Sequence, residues 1–161
     1  MATQSKPLRQ QLVRLLSWTD AHVGFDAAVT GIPAALRGAV PKGLPYSAWQ
    51  LLEHMRLAQA DILEFCARAH YREKTWPADY WPAESAPPSS RAWGASVAAF
   101  KRDRKAFETM IMAPRRDLLA KVPAGTGQTF LREFVLVADH NAYHVGQLVA
   151  LRRLLGCWAG A

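Results

Sequence analysis

The stretch TFLREFVLVADHNAYHVGQLVALRRLLG, Thr129 to Gly156, decides the fold. Val137, His140, His144, Leu148, Leu151 and Leu155 recur in it by threes and fours, the spacing that puts side chains on one face of an α-helix. Gly156 supplies the stop. The two histidines are four apart, so their imidazoles leave one face a single turn from each other and can reach one ion. They also fall on the inward stripe. Two imidazoles buried without a ligand would each need a hydrogen-bond partner, and protonating both would set like charges about a turn apart in a low dielectric. A divalent cation resolves both difficulties.

Working outward, three more stretches have helical periodicity and none shows sustained strand alternation, so the chain reads as all-α. The first helix is expected over about Pro7 to Thr30, with Leu8, Leu12, Leu15, Thr19, His22, Asp26 and Val29 facing inward. Ser47 and Gln50 form an S-x-x-Q capping box that opens a second helix to about Ala69. A third runs from about Ala92 to Met112, ended by Pro114, and a turn-rich link, KVPAGTGQT, leads to the last helix. Between the second and third lies a long Pro/Trp-rich loop, Tyr71 to Arg91, with four prolines and the rings Trp76, Tyr80 and Trp81. Its aromatics predict an ordered wrap, with rings either shielding the bundle or forming a substrate lid.

At 161 residues, with 50% hydrophobic and 20% charged residues, the chain is expected to form one domain over its whole length, 1–161, and a disordered chain is excluded. A domain of this size builds a core without disulfides or a structural metal, which leaves a metal free for chemistry. The net charge is +7. The charge is scattered, though: Asp103 interrupts the basic run Lys101 to Lys105, and Arg115-Arg116 and Arg152-Arg153 sit at the ends of apolar runs. Nucleic acid is therefore disfavoured as a partner. Cys66 and Cys157 make no C-x-x-C and are expected as buried, inert thiols. No run approaches a membrane span and Met1 to Leu16 has no signal-peptide core, so a soluble, cytoplasmic protein is the expectation.

H-x-x-x-H alone is a weak signal, but His54, on a side of the second helix shared with Leu51, Ala58 and Phe65, completes a His₃ set if the second and last helices are neighbours. Three protein ligands leave a fourth position for water or substrate, as in catalytic zinc sites. The H-E-x-x-H protease motif fails because Asn141 follows His140. Its inverted form fails because Gln50 stands where the first histidine belongs. Paired Glu-x-x-His di-iron motifs fail because Leu51, Val137 and Asn141 precede the histidines by three. Gly125 to Gly127 complete no nucleotide motif and read as a turn.

Polar residues on the same faces are candidates for ligand support or a substrate wall. Gln147 and Glu133 lie one and two turns from the pair, and Asp61 lies two turns beyond His54. For Glu133 and Asp61 the other reading is the bundle rim. His22 is either a core histidine bonded to Asp26 or a residue touching substrate or metal; with Gln147 it stands as a candidate cofactor contact. Tyr143 is either a wall of the site or a packing ring.

With H-N-A-Y-H-V-G-Q-L-V-A-L-R-R-L-L-G at His140 to Gly156 and W-Q-L-L-E-H at Trp49 to His54, the chain resembles the DinB-like (DinB/YfiT-like) family of bacterial metalloenzymes over nearly its whole length. The resemblance implies an up-down-down-up four-helix bundle with one divalent ion on His54, His140 and His144. It also implies metal-dependent thiol chemistry, since characterised relatives include thiol S-transferases using bacillithiol or mycothiol and a mycothiol-dependent isomerase. Zinc or nickel is the expected ion, with a low-molecular-weight thiol and a small-molecule substrate, and Arg152 and Arg153 are candidates to receive an acidic thiol. A homodimer is also implied. A second apolar stripe on the last helix, Leu131, Val135, Ala138, Ala142 and Val149, supports a partner there. The alternative function is a non-catalytic, metal-stabilised binding or stress-response module.

Overall fold

The structure, a computed structural model, describes residues 5–158. Its elements are α1 (Lys6–Leu15), α2 (Phe25–Val29), a single 3-10 turn at Ala34–Leu36, α3 (Ala48–Ala67), α4 (Ala92–Met112) and α5 (Phe130–Leu154). The described residues form no strand beyond an isolated bridge between Lys121 and Thr129. The long helices pack as a bundle in which α1 and α3 each lie against both α4 and α5, while α2 covers α5. None is long and apolar enough to cross a membrane.

The punctuation of α3, α4 and α5 follows the sequence. Ser47 Oγ accepts from the Gln50 amide and the Gln50 side chain accepts from the Ser47 amide, the reciprocal capping box. Thr129 caps α5, and Gly156 takes φ 68° beyond its end, a left-handed conformation that a side chain would resist. Ala113 and Pro114 close α4.

The single helix expected over Pro7 to Thr30 is two. After Leu16 come Ser17, Thr19 and Asp20, residue types that favour turns over helix interiors, and the Asp20 carboxylate accepts from Arg14 at 2.6 Å. Gly24 is the extended N-cap of α2, where a Cβ would meet Thr19 Cγ2 at 2.9 Å. The break turns part of the expected inward stripe outward. Leu12 and Val29 are buried, but Leu8, Leu15, Thr19, His22 and Asp26 are exposed.

Two buried arginines replace what a continuous helix would have tied together. Arg9 donates to the carbonyl of Ile111 at the end of α4, at 2.6 Å, and to that of Arg116 in the turn beyond it, at 2.5 Å. Arg152 donates to Ala27 and Ala28 at the end of α2, at 3.0 and 2.9 Å, and to Cys157. Each guanidinium satisfies carbonyls in the last turn of a helix, which lack an intrahelical partner, together with one carbonyl outside the helices. Arg152 is thus not available to receive an acidic thiol; it is a buried strut. The second apolar stripe is also corrected: Ala138 and Val149 are buried in the chain's own core, and only Val135 and Ala142 of the five are exposed.

Candidate metal centre

α3 carries His54 two turns from its start, and α5 carries His140 and His144 near its middle. Because α3 packs on α5, the rings meet. His54 Nε2 is 3.1 Å from His144 Nε2 and 3.2 Å from His140 Nε2. One ligand nitrogen from each residue lies within 4.8 Å of the others.

The second nitrogens fix which atoms face inward. His54 Nδ1 lies 3.1 Å from the Tyr80 carbonyl oxygen, and His144 Nδ1 lies 2.7 Å from Gln147 Oε1. Both oxygens only accept, so both Nδ1 atoms donate and both Nε2 atoms present a lone pair. Two lone pairs 3.1 Å apart share no proton unless one ring is charged, and burial opposes that. Desolvation lowers the pKa of His144 to about 4, with His140 and His54 adding to the effect and the Gln147 bond opposing it. Burial also lowers His54 against the Tyr80 bond, and His140 against Asn141 and Asp139. Only His140, whose buried Nδ1 has no hydrogen-bond partner, keeps a free choice of tautomer.

This donor set fits a metal. Nitrogens about 2.0–2.1 Å from one tetrahedral ion lie about 3.3 Å apart, close to the two separations seen here. A shared cation would also remove the lone-pair conflict between His54 and His144.

The loop beyond α3 closes the site. Trp81 stacks on His54 with centroids 4.0 Å apart and planes 7° from parallel, and Trp76 meets the same ring edge-on at 6.2 Å. The rings therefore wrap the bundle and wall the site at once. Tyr80 links them to α3 twice. Its carbonyl meets His54, and its hydroxyl donates to Asp61 Oδ2 at 2.7 Å, where Tyr71 and Lys74 also converge. The Asp61 carboxylate pushes the Tyr80 hydroxyl pKa up, after burial, so this donor stays protonated. Beside the triad opens a cavity of about 530 Å³, walled mainly by Trp76, Trp81, Tyr143, Leu136 and Ile62.

Of the supporting residues expected from sequence, Gln147 holds His144, and Asp61 is buried, anchoring the loop and not the rim. Glu133 is buried too, paired with Arg132 at 2.7 Å. Tyr143 lines the cavity and is 63% exposed. His22 is neither in the core nor bonded to Asp26. It is exposed, lies 2.9 Å from the Val23 carbonyl, and lines a separate groove with Trp18 and Val135. Asp26 pairs instead with Lys101 and Arg104. Burial pushes the Cys66 thiol up to about 12, as an inert cysteine requires. The Tyr80 carbonyl and the Trp81 stack were not assigned from sequence. The clustering of rings within six residues of the loop was their only signal.

A family model described as the DinB superfamily matches residues 18–148. No curated protein and no solved structure gives a significant match to the chain.

Proposed function

The chain belongs to the DinB superfamily, and from that membership we propose that it is a metal-dependent enzyme holding one divalent ion, zinc or nickel, on His54, His140 and His144. The reaction class is thiol transfer to a small-molecule substrate or hydrolysis. The observation that carries this reading is the pair of bare Nε2 atoms on His54 and His144, each fixed from behind by an oxygen acceptor.

Such an ion, when bound, lowers the pKa of a thiol or water in the position the three histidines leave open. The chain's own residues do the rest. The Tyr80 carbonyl and Gln147 hold the protons on the outer nitrogens, which orients both rings. Trp81 covers one face of His54 and excludes water from it. Asp61, through Tyr80, keeps the loop in register with α3.

The test is metal analysis of protein purified without a histidine tag. About one ion per chain is expected, and the His140→Ala/His144→Ala double variant should lose it. Equal metal in both proteins would refute the site. Metal that raises Tm while a panel of electrophiles and low-molecular-weight thiols shows no metal-dependent turnover would instead favour the non-catalytic module.

A further inference from the structure

His54 and His144 each have an oxygen acceptor behind the ring, whereas the buried Nδ1 of His140 has no hydrogen bond. On its other side, His140 Nε2 lies 3.2 Å from the bare Nε2 of His54, where one tautomer of His140 would donate. A ring nitrogen that carries the proton has no lone pair left for an ion. Ligation through Nε2 therefore requires the His140 proton on Nδ1, and an acceptor to hold it there.

The next residue in the chain supplies that acceptor. Asn141 Oδ1 is buried and has no hydrogen bond, so consecutive residues of α5 carry one buried nitrogen and one buried oxygen that are both unused. The other unbonded buried side-chain atoms among the described residues, Arg116 Nε and Trp158 Nε1, are donors and offer His140 nothing. The orientation of the Asn141 amide is also fixed. The Phe100 carbonyl only accepts, so Gln59 Nε2 donates to it at 2.7 Å and Gln59 Oε1 is left to accept from Asn141 Nδ2 at 3.0 Å. Oxygen is thereby the atom that Asn141 has free. Burial lowers the His140 pKa and the Asn141 side chain opposes it, which an acceptor near the ring does and a donor does not.

We propose that Asn141 is the positioning residue of His140: its Oδ1 takes the Nδ1 proton and leaves the Nε2 lone pair for the ion, while Gln59 and the Phe100 carbonyl keep the amide from flipping. Each of the three imidazoles then has an oxygen behind it, from a loop carbonyl, a glutamine and an asparagine. The inference rests on the proposed function for the ion; the tautomer of His140 is a property of the chain alone.

Two measurements on the full, untagged chain test it. In metal-free protein at pH 8, imidazole ¹⁵N spectra report the tautomer of each ring. Asn141→Leu should move His140 toward its Nε2–H form by about fivefold or more in the tautomer ratio and leave His144 protonated on Nδ1. In zinc competition against a chromophoric chelator, the same variant should bind about 10–100-fold more weakly than the wild type. Because Asn141→Leu also strands Gln59, the double variant Gln59→Leu/Asn141→Leu separates packing from positioning. Its Tm should return toward that of the wild type, while its zinc affinity and tautomer ratio stay with the single variant. Zinc affinity that recovers together with Tm, or a tautomer ratio unchanged by Asn141→Leu, would overturn the proposal. The tautomer shift in a chain that binds no zinc would sustain the hold of Asn141 on His140 and sink the metal reading. Zinc bound equally by the wild type and both variants would do the reverse.

Discussion

The triad works only while its imidazoles are neutral, and at the residue scale that neutrality is a stability statement. In the unfolded chain His144 titrates near 6.5, and in the fold burial brings it to about 4. Above 6.5 both states carry it neutral and its contribution to stability is complete. As pH falls, the unfolded chain takes up protons the folded chain refuses, so stability is lost progressively and the loss levels off below about 4. His54 and His140 are shifted in the same direction. Glu53, pushed up by burial but held low overall by Arg56 and Ser96, acts in a lower window, below its ordinary 4.5. The expectation is therefore read between pH 6.5 and 5 on metal-free protein. Its Tm falls across that range, and His144→Gln reduces the proton uptake on unfolding by up to about one proton. Identical pH slopes in the two proteins would contradict the buried, neutral His144. The residue type and spacing made this histidine legible: four positions from His140, on a stripe with Leu148 and Leu151. What orients its partner His54 was not legible, because the Tyr80 contact is made by a backbone oxygen, which every residue has.

At the element scale, the chain announces its helices where the physics is local. Ser47 and Gln50 mark the start of α3, Pro114 the end of α4 and Gly156 the end of α5, each through a bond or backbone conformation made within a few residues. The split between α1 and α2 is less local. Threes-and-fours spacing persists through Thr19, His22 and Asp26, and the break coincides with the Arg14–Asp20 pair and with the approach of Thr19 to Gly24, contacts between residues five or six apart. Ser47 shows the two kinds of information in one side chain. Its Oγ accepts from the Gln50 amide, as the motif requires, and also donates to the Ser85 carbonyl, binding α3 to the loop over the site. Ser47→Ala removes both. It should destabilise the protein by about 1–3 kcal/mol in urea denaturation, above the ~1 kcal/mol of an ordinary cap. A Ser47→Gly variant would lose the same bonds without the Ala penalty at an extended cap, so the difference between the two isolates that penalty and the cost common to both reports the lost bonds. A cost below 0.5 kcal/mol for both, on the order of a neutral surface change, would mean the Ser85 bond carries no weight.

For the whole molecule, the core is not one apolar mass. One cluster gathers Phe25, Trp49, Leu52, Trp93, Phe100 and Leu148, and another gathers Leu12, Phe107, Ile111, Leu118 and Phe134. Between them lies a polar layer made of His54, His144, Gln59 and Asn141, all buried. Asn141 Nδ2 donates to Gln59 Oε1 at 3.0 Å, and Gln59 Nε2 donates to the Phe100 carbonyl at 2.7 Å, so the amides link α5, α3 and α4 at the level of the triad. A bundle of this size has enough apolar surface to fill that layer with leucine, and stability alone gives no reason for amides there. Such a layer persists where a site needs it. The energetic consequence is asymmetric. Asn141→Leu alone strands the Gln59 oxygen and should cost about 1–3 kcal/mol, whereas Gln59→Leu with Asn141→Leu removes both partners and should come out near neutral. A double-mutant cycle by urea denaturation should therefore give a coupling of about 1–3 kcal/mol. Additive losses would show that the two amides act separately, and the layer would then be a set of independent polar residues and not a network built around the histidines.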